Sequence, residues 1–439
     1  MLRVRLTLLL ASTAFAQSPL QLSLKQAVDI ALAPDGSTRV KLAEEAIQQS
    51  ESRAAQSRAA LLPNIDGSIS DQNLTRNLKA FGIQFPSLPI PGFSFPAVVG
   101  PFDVFDARAT ATQTIFDFSS IRRYQASKIA VEASKADNQG TRDQVTDQVA
   151  HAYLAALRAQ TSLETARANV ELSEALLKLA RSQKDAGTGT GIEITRADVQ
   201  LSNDRQRLLV AENEVERAHL QLLKIIGLKL ENPVELTDRL AYTPTDSPDV
   251  AQALNTAREN RSELKAQQCR EQSAKLNYSA TKFERLPSLA GFADYGTIGT
   301  SINNAVPTRT YGASLRIPVF DGGRRDARRA ESASLYRQEK IRTGDLRDQI
   351  ELDVRLALNS LRSADAQVKA AEEGLKLAQD ELAQAQRRYK AGVTNSIEVT
   401  DAQTRLQRAL DNRISALYNY NVARVDLAAA TGTIQSMIH

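Results

Sequence analysis

Cysteine, methionine and histidine are scarce in this 439-residue chain, and long apolar runs are missing. Cys269 is the single cysteine and has no second one to pair with, so packing must hold the fold without an internal disulfide. Two methionines are too few to line a route for soft metals. The three histidines, His151, His219 and His439, show no partners at metal-binding or catalytic spacing. There is no phosphate-cradling loop, no nucleophile motif and no carboxylate pair outside two short turns described below, which argues against an enzyme. Lysine and arginine total 55 against 51 acidic residues, and the signs are mixed along the chain. No basic face therefore invites nucleic acid. Past the first residues no apolar run approaches 18, the length a transmembrane helix needs. A chain of this kind can cross a membrane only with strands closed into a barrel.

What is present starts with a secretory signal. Arg3 and Arg5 precede the mostly apolar Leu6 to Ala11, and Ala14-Phe15-Ala16 is a small-x-small cleavage site. Cleavage after Ala16 starts the mature chain at Gln17 and lowers the net charge from +4 to about +2 by removing two arginines. No cysteine follows the cut to carry a lipid anchor.

An internal repeat organises the rest. Ala186-Gly187 recurs as Ala391-Gly392, Ile192-Glu193-Ile194-Thr195 as Ile397-Glu398-Val399-Thr400, and Gly227 as Gly432, each shifted by 205. Leu62-Pro63 matches Leu286-Pro287, and Phe116-Asp117 matches Phe320-Asp321. The Pro-to-Phe interval is 53 residues in the first copy and 33 in the second, so the first copy carries an insertion. It falls in segment 76–105, whose prolines and phenylalanines read as a long loop at the extracellular end. The first repeat spans 17–227, a linker 228–248, and the second repeat 249–439. The order in each copy is helix, strand, loop, strand, long helix, tight turn, helix. Helices are expected at 23–61, 119–186 and 192–226, then at 249–285, 324–391 and 397–431. Each middle helix reaches roughly 100 Å at 1.5 Å per residue, and helices so long need partners along their whole length.

Those partners announce themselves as a seam. Val354, Leu361, Val368, Leu375, Leu382 and Tyr389 recur every seven residues, with Ala357, Ala364, Ala371, Ala378 and Ala385 three behind. The first copy repeats the pattern with Val149, Ala156, Leu163, Val170 and Leu177, and with Ala152, Ala159, Ala166, Ser173 and Ala180. A period of seven calls for left-handed supercoiling, and small residues let helices approach closely. By itself this would suit an ordinary coiled-coil rod, but the strands speak against that. Within 310–320, Tyr311, Ala313, Leu315, Ile317 and Val319 point one way and Gly312, Ser314 and Arg316 the other. Within 288–298, Leu289, Gly291, Ala293 and Tyr295 share a face. Within 106–116, Ala107, Ala109 and Ala111 alternate with Arg108, Thr110 and Thr112. A fourth strand is expected at 65–74. This alternation suits barrel strands, yet membrane barrels need at least about eight of them. Four strands must therefore find others by oligomerising, and three copies would supply twelve.

With these residues in view, the chain resembles the TolC-like outer membrane efflux protein family across both repeats. The resemblance rests on Leu62-Pro63, Leu286-Pro287, Phe320-Asp321-Gly322-Gly323, Tyr389-Lys390-Ala391-Gly392 and Ile397-Glu398-Val399-Thr400-Asp401-Ala402, in that order and duplicated. The resemblance implies a mainly α fold with transmembrane β: a homotrimer with a twelve-stranded β-barrel in outer-membrane lipid, continuous with a twelve-helix periplasmic α-barrel. It also implies an outer-membrane efflux channel with porin activity, docked through a periplasmic adaptor onto an inner-membrane transporter, without cofactors. By position, Glu398 and Asp401 match the acidic pair that rings the periplasmic constriction, and Tyr389 matches a tyrosine of the closing network. Six carboxylates at a narrow mouth would attract cations and repel anions. Thr394 stands where such chains often carry an arginine two residues after the tip glycine. Ala186, Gly187 and Thr188, with Ala391, Gly392 and Val393, match the tips that adaptors grasp. Local explanations stay open beside these. Glu398 three residues after Asn395, and Glu193 three after Thr190, have N-capping geometry. Tyr389 continues the apolar stripe, and each tip glycine can simply end a helix. The competing function is a periplasmic coiled-coil structural or adaptor protein without a pore.

Overall fold

A computed structural model describes residues 20–82, 96–244 and 248–438. The expected signal peptide at 1–16 and the middle of the Pro- and Phe-rich segment lie outside the described residues. Two compact units emerge: residues 1–45, 136–265 and 344–439, and residues 46–135 and 266–343. The division cuts across both sequence repeats instead of falling between them.

The second unit is built on a four-stranded antiparallel sheet. Its strands are β2 (Asn64–Asn77), β3 (Val98–Phe116), β5 (Ser288–Gly299) and β6 (Val306–Arg316), in the order β2-β3-β5-β6. Register decides which residues share a face. Ile65, Ala111, Ala293 and Tyr311 pair in one row across all four strands, and the adjacent row on the other face holds Asp66, Thr110, Asp294 and Thr310. The first face is apolar and open: Ile65, Ile69, Tyr295, Tyr311 and Leu315 are all at least 61% exposed. Asp71 and Arg309 interrupt it toward the loop ends of the strands. The other face carries an ion cluster in which Arg108 meets Asp106 at 2.6 Å and Asp294 at 3.4 Å. Among the described residues both outer strands, β2 and β6, keep one unpaired edge.

Strand limits differ from expectation for readable reasons. β2 runs on to Asn77 and β3 starts at Val98, so both ends of the expected 76–105 loop are strand. The aromatics there suit a pleated surface once β2 supplies backbone partners, as in Leu74 opposite Phe102. A short 3₁₀ turn at Leu78–Phe81, capped by the Asn77 side chain, also occupies that segment. β6 ends at Arg316 instead of residue 320, just ahead of Pro318, which cannot donate to a ladder.

The first unit holds a small two-stranded parallel sheet of β1 (Leu20–Leu22) and β4 (Val234–Leu236), and of the helices named next, residues 46–59, 118–135, 266–283 and 324–343 belong to the second unit. Helix α3 (Phe118–Asp185) and α4 (Gly191–Ile226) form one hairpin, and α7 (Arg324–Lys390) and α8 (Ser396–Thr431) the other. The helix expected at 23–61 is two, α1 (Leu24–Leu32) and α2 (Thr38–Ala59), parted at Pro34-Asp35-Gly36, where Pro34 cannot continue a helix. The one expected at 249–285 is α5 (Val250–Asn260) and α6 (Ser262–Phe283), parted at Arg261. A final turn, α9 (Ile434–Ile438), closes the described chain.

Much of the seven-residue seam is buried: Val149, Ala156, Val354 and Val368 are fully covered and Leu361, Leu382 and Tyr389 nearly so, while Leu163, Val170 and Leu375 are half-buried. The expected linker 228–248 does more than connect. Asp238 accepts hydrogen bonds from the Leu24 N–H at 2.8 Å and from the buried Tyr153 hydroxyl at 2.8 Å. Tyr242 donates to Asp365 at 2.6 Å and packs its ring 5.0 Å from that of Tyr420. The segment straps α1, α3, α7 and α8 together, which no local pattern in it announces.

Candidate functional site

The two helix tips lie in the first unit. Each long helix ends in a glycine with left-handed backbone, Gly187 at φ 75° and Gly392 at φ 70°. The Ala186 N–H reaches Ser182 and the Gly187 N–H reaches Lys184, while in the second tip Ala391 reaches Arg387 and Gly392 reaches Tyr389. Thr188 and Val393 complete the turns, each bonding back to the carbonyl five residues before it. These bonds satisfy carbonyls that a helix end leaves open. Past the turns, the Asn395 side chain caps α8 by accepting from the Ile397 N–H at 3.1 Å.

The two glutamates that share a capping pattern in the sequence act differently. Glu193 reaches back to the Thr190 N–H at 3.0 Å, closing its half of a capping box. Glu398 instead accepts from Arg388 at 2.7 Å and from the Thr394 hydroxyl. Thr394 thus serves as a donor to Glu398 from within the same turn. Asp401 lies one helical turn further along α8 and is exposed, with no bond to Glu398. Tyr389 is buried against Leu382, Ala385, Val399 and Ala402, with Leu172, Leu176 and Leu179 of α3 beside them. Its hydroxyl has no hydrogen-bond partner among the described residues, and neither has the buried Ser396 hydroxyl. Both residues line a cavity of about 30 Å³ together with Glu193 and Arg196, so the two tips meet there. Burial, and then the Glu193 charge, raise the Tyr389 phenol above its ordinary pKa.

Behind the tips lies a polar network that periodicity does not reveal. Asp204 is 1% exposed and accepts from Ser173 at 2.5 Å and from Gln200 at 3.1 Å, while Gln403 donates to Ser173 at 2.8 Å. Arg207 approaches Asp204 at 3.5 Å. A trace of this was legible: Ser173 is the one polar residue in the alanine stripe of the first copy. The histidine expectation fails at His151. It stands between Asp147, 3.3 Å away on the same helix, and Asp426, 3.0 Å away on α8. Hydrogen bonds to Asp147 and then Asp426 push its pKa up to about 10. Four residues along a helix is within chelating reach, and the distant Asp426 is what the sequence order concealed.

Similarity to known proteins follows the same lines. A sequence model of the family described as outer membrane efflux protein matches residues 30–228 and 253–433. The pyoverdine export outer membrane protein OpmQ of Pseudomonas putida is 24% identical over 413 residues, covering 92% of this chain and 84% of that protein. The outer membrane protein TolC of Vibrio cholerae is 25% identical over 315 residues, covering 69% of this chain and 71% of that one. Among solved structures, the Campylobacter jejuni CmeC outer membrane channel superposes with a TM-score of 0.80 at 17% identity, over 94% of this chain and 86% of that chain. With its duplicated helical hairpins, its four-stranded sheet and a family match over most of its length, this chain belongs to the outer membrane efflux protein family.

Proposed function

We propose that the chain is the outer-membrane channel of a tripartite efflux or type I secretion system, passing substrates from an inner-membrane transporter and a periplasmic adaptor to the exterior. The observation that carries this reading is the sheet, with one open apolar face, one polar face and two unpaired edges. Open edges and apolar surface are costly alone, and lipid tolerates only closed sheets. Neighbouring strands alternate in direction, so β6 of one copy can meet β2 of the next antiparallel, and three copies close a barrel of twelve strands. The apolar row then faces lipid, and the Arg108 cluster faces the lumen. The helical hairpins of three copies form the periplasmic tunnel. Its mouth is gated near Glu398, Asp401 and Tyr389, and the tips Ala186–Thr188 and Ala391–Val393 are the adaptor's grip. A pore-free periplasmic coiled-coil protein has no use for a sheet with an open apolar face.

Single-channel recording in planar bilayers tests the reading on the wild type and on Glu398→Gln combined with Asp401→Asn. A small cation-selective conductance that rises or loses selectivity in the variant is expected. A pore indifferent to both changes would leave the duct without an acidic constriction. A protein soluble without detergent and lacking conductance would end the channel reading.

A further inference from the structure

Away from the tips, α3 and α8 bring together three side chains that the channel reading leaves without a role. We propose that Asp147, His151 and Asp426 form a binding site for a divalent transition metal, with zinc the best fit. Asp147 and His151 leave the same face of α3 one turn apart, and Asp426 comes from α8. Both aspartates direct Oδ1 at one atom, the His151 Nε2, at 3.3 and 3.0 Å. All three ligand atoms lie within 4.8 Å of one another. A ring nitrogen carries at most one hydrogen, so a single N–H must be shared between the two carboxylates, whereas a cation that displaces that proton serves all three atoms. Zinc holds imidazole nitrogen and carboxylate oxygen at about 2.0–2.2 Å, which sets adjacent tetrahedral ligand atoms about 3.3–3.6 Å apart. The two nitrogen–oxygen separations, 3.3 and 3.0 Å, come near that edge, and the two carboxylate oxygens lie within 4.8 Å of each other.

The surroundings agree. The side chains of His151, Asp147 and Asp426 keep 34%, 32% and 44% of their surface, which leaves the fourth position open to water. Asp147 and Asp426 also line a cleft of about 390 Å³ with Asp143, Glu263, Asp353 and Arg261. An excess of carboxylates concentrates cations there. The other acids already have partners. Asp143 accepts from Ser262 and Gln435, each at 2.9 Å, and Arg261 meets Glu263 at 2.7 Å and Asp353 at 3.5 Å. Among the described residues the carboxylates of Asp147 and Asp426 face no cation besides His151. The imidazole favours zinc, nickel, copper or iron, while the two carboxylates alone would suit calcium or magnesium. A bound ion would cross-link α3 to α8 within the first unit.

The test uses full-length protein in detergent, stripped with chelator and titrated with zinc chloride by calorimetry. One zinc per chain is expected, weakened by Asp426→Asn and by His151→Gln at least as much as the loss of an outer-shell partner would weaken it, about ten- to a hundredfold, with helicity and oligomer unchanged. Cobalt should give visible bands in the wild type that both variants lose. Should a variant fold poorly, the wild type decides: zinc must protect His151 from diethylpyrocarbonate, mapped by peptide mass. Absent or substoichiometric zinc binding, affinity indifferent to Asp426→Asn, or His151 modified equally with and without zinc overturns the site and leaves an ion pair in its place.

Discussion

Glu193 and Glu398 stand 205 residues apart at equivalent places in the two repeats, yet they make different bonds. The cause is their neighbours. Gln183 and Gly189 occupy the first tip where Arg388 and Thr394 occupy the second, so only Glu398 meets a guanidinium and a hydroxyl. Arg388 offsets part of the Glu398 charge, while Asp401 stays exposed with no cation beside it among the described residues. Under the proposed gate, Asp401→Asn should therefore lower cation selectivity more than Glu398→Gln does, as measured by reversal potentials in a salt gradient; the reverse order would refute this division of roles. His219 carries a second prediction at this scale. Burial lowers its pKa, partly opposed by Glu216, and its Nε2 is buried without a partner among the described residues. The neutral imidazole is the favoured folded form, so its contribution is present above the ordinary value of about 6.5 and is lost as pH falls below it. Thermal midpoints should drop between pH 7.5 and 5, and His219→Phe should shrink the drop. An identical pH profile in the variant would assign the acid sensitivity elsewhere.

At the scale of elements, packing of the helices follows their periodicity, and the exceptions are polar. Ser173 takes a seam position that alanine holds in every other turn of the first copy, and it links Gln403 of α8 to the buried Asp204 of α4. Ser173→Ala restores the stripe but leaves a buried carboxylate one donor short. Such a loss costs about 1–3 kcal/mol, readable as an earlier loss of helical circular dichroism in denaturant. No change in the midpoint would mean that Gln200 and Arg207 suffice for Asp204. The ends of α4 and α8 also explain a repeated residue. Gly227 and Gly432 both have positive φ, and a Cβ there would come within 2.9 Å of the Gly36 carbonyl oxygen and of the Arg261 nitrogen respectively. Each helix therefore closes against backbone belonging to a break between the preceding short helices, which is why the same spacing recurs in both copies.

At the scale of the whole molecule, the sheet makes the strongest demand, because a single chain leaves its edges and its apolar face unserved. Tyr311 sits in the apolar row and is 79% exposed. Within the proposed barrel, Tyr311→Arg places a charge toward lipid, at a cost of about 2–4 kcal/mol near the midplane. Heat-resistant oligomer on unboiled gels and recovery in the outer-membrane fraction should both fall. Thr310→Arg, on the polar face, should be tolerated. Equal behaviour of the two variants would mean that the face does not meet lipid.

Much of this organisation was legible in the chain itself. Period-seven apolar spacing, period-two alternation and a duplicated tip motif are local consequences of how side chains leave helices and strands, so they specify elements and faces before any contact is known. The breaks at Pro34 and before Pro318 are carried by local residues too, since proline withdraws its own donor wherever it stands, yet the periodicity around each runs on and the expected helix and strand run through them. Other features required the folded chain. The pairing of β1 with β4, the strap of Asp238 and Tyr242, the burial of Asp204, and the meeting of His151 with Asp426 all join residues from separate elements. Such contacts leave no period in the sequence, since each depends on two distant segments arriving at one place, and only tertiary packing determines which segments those are.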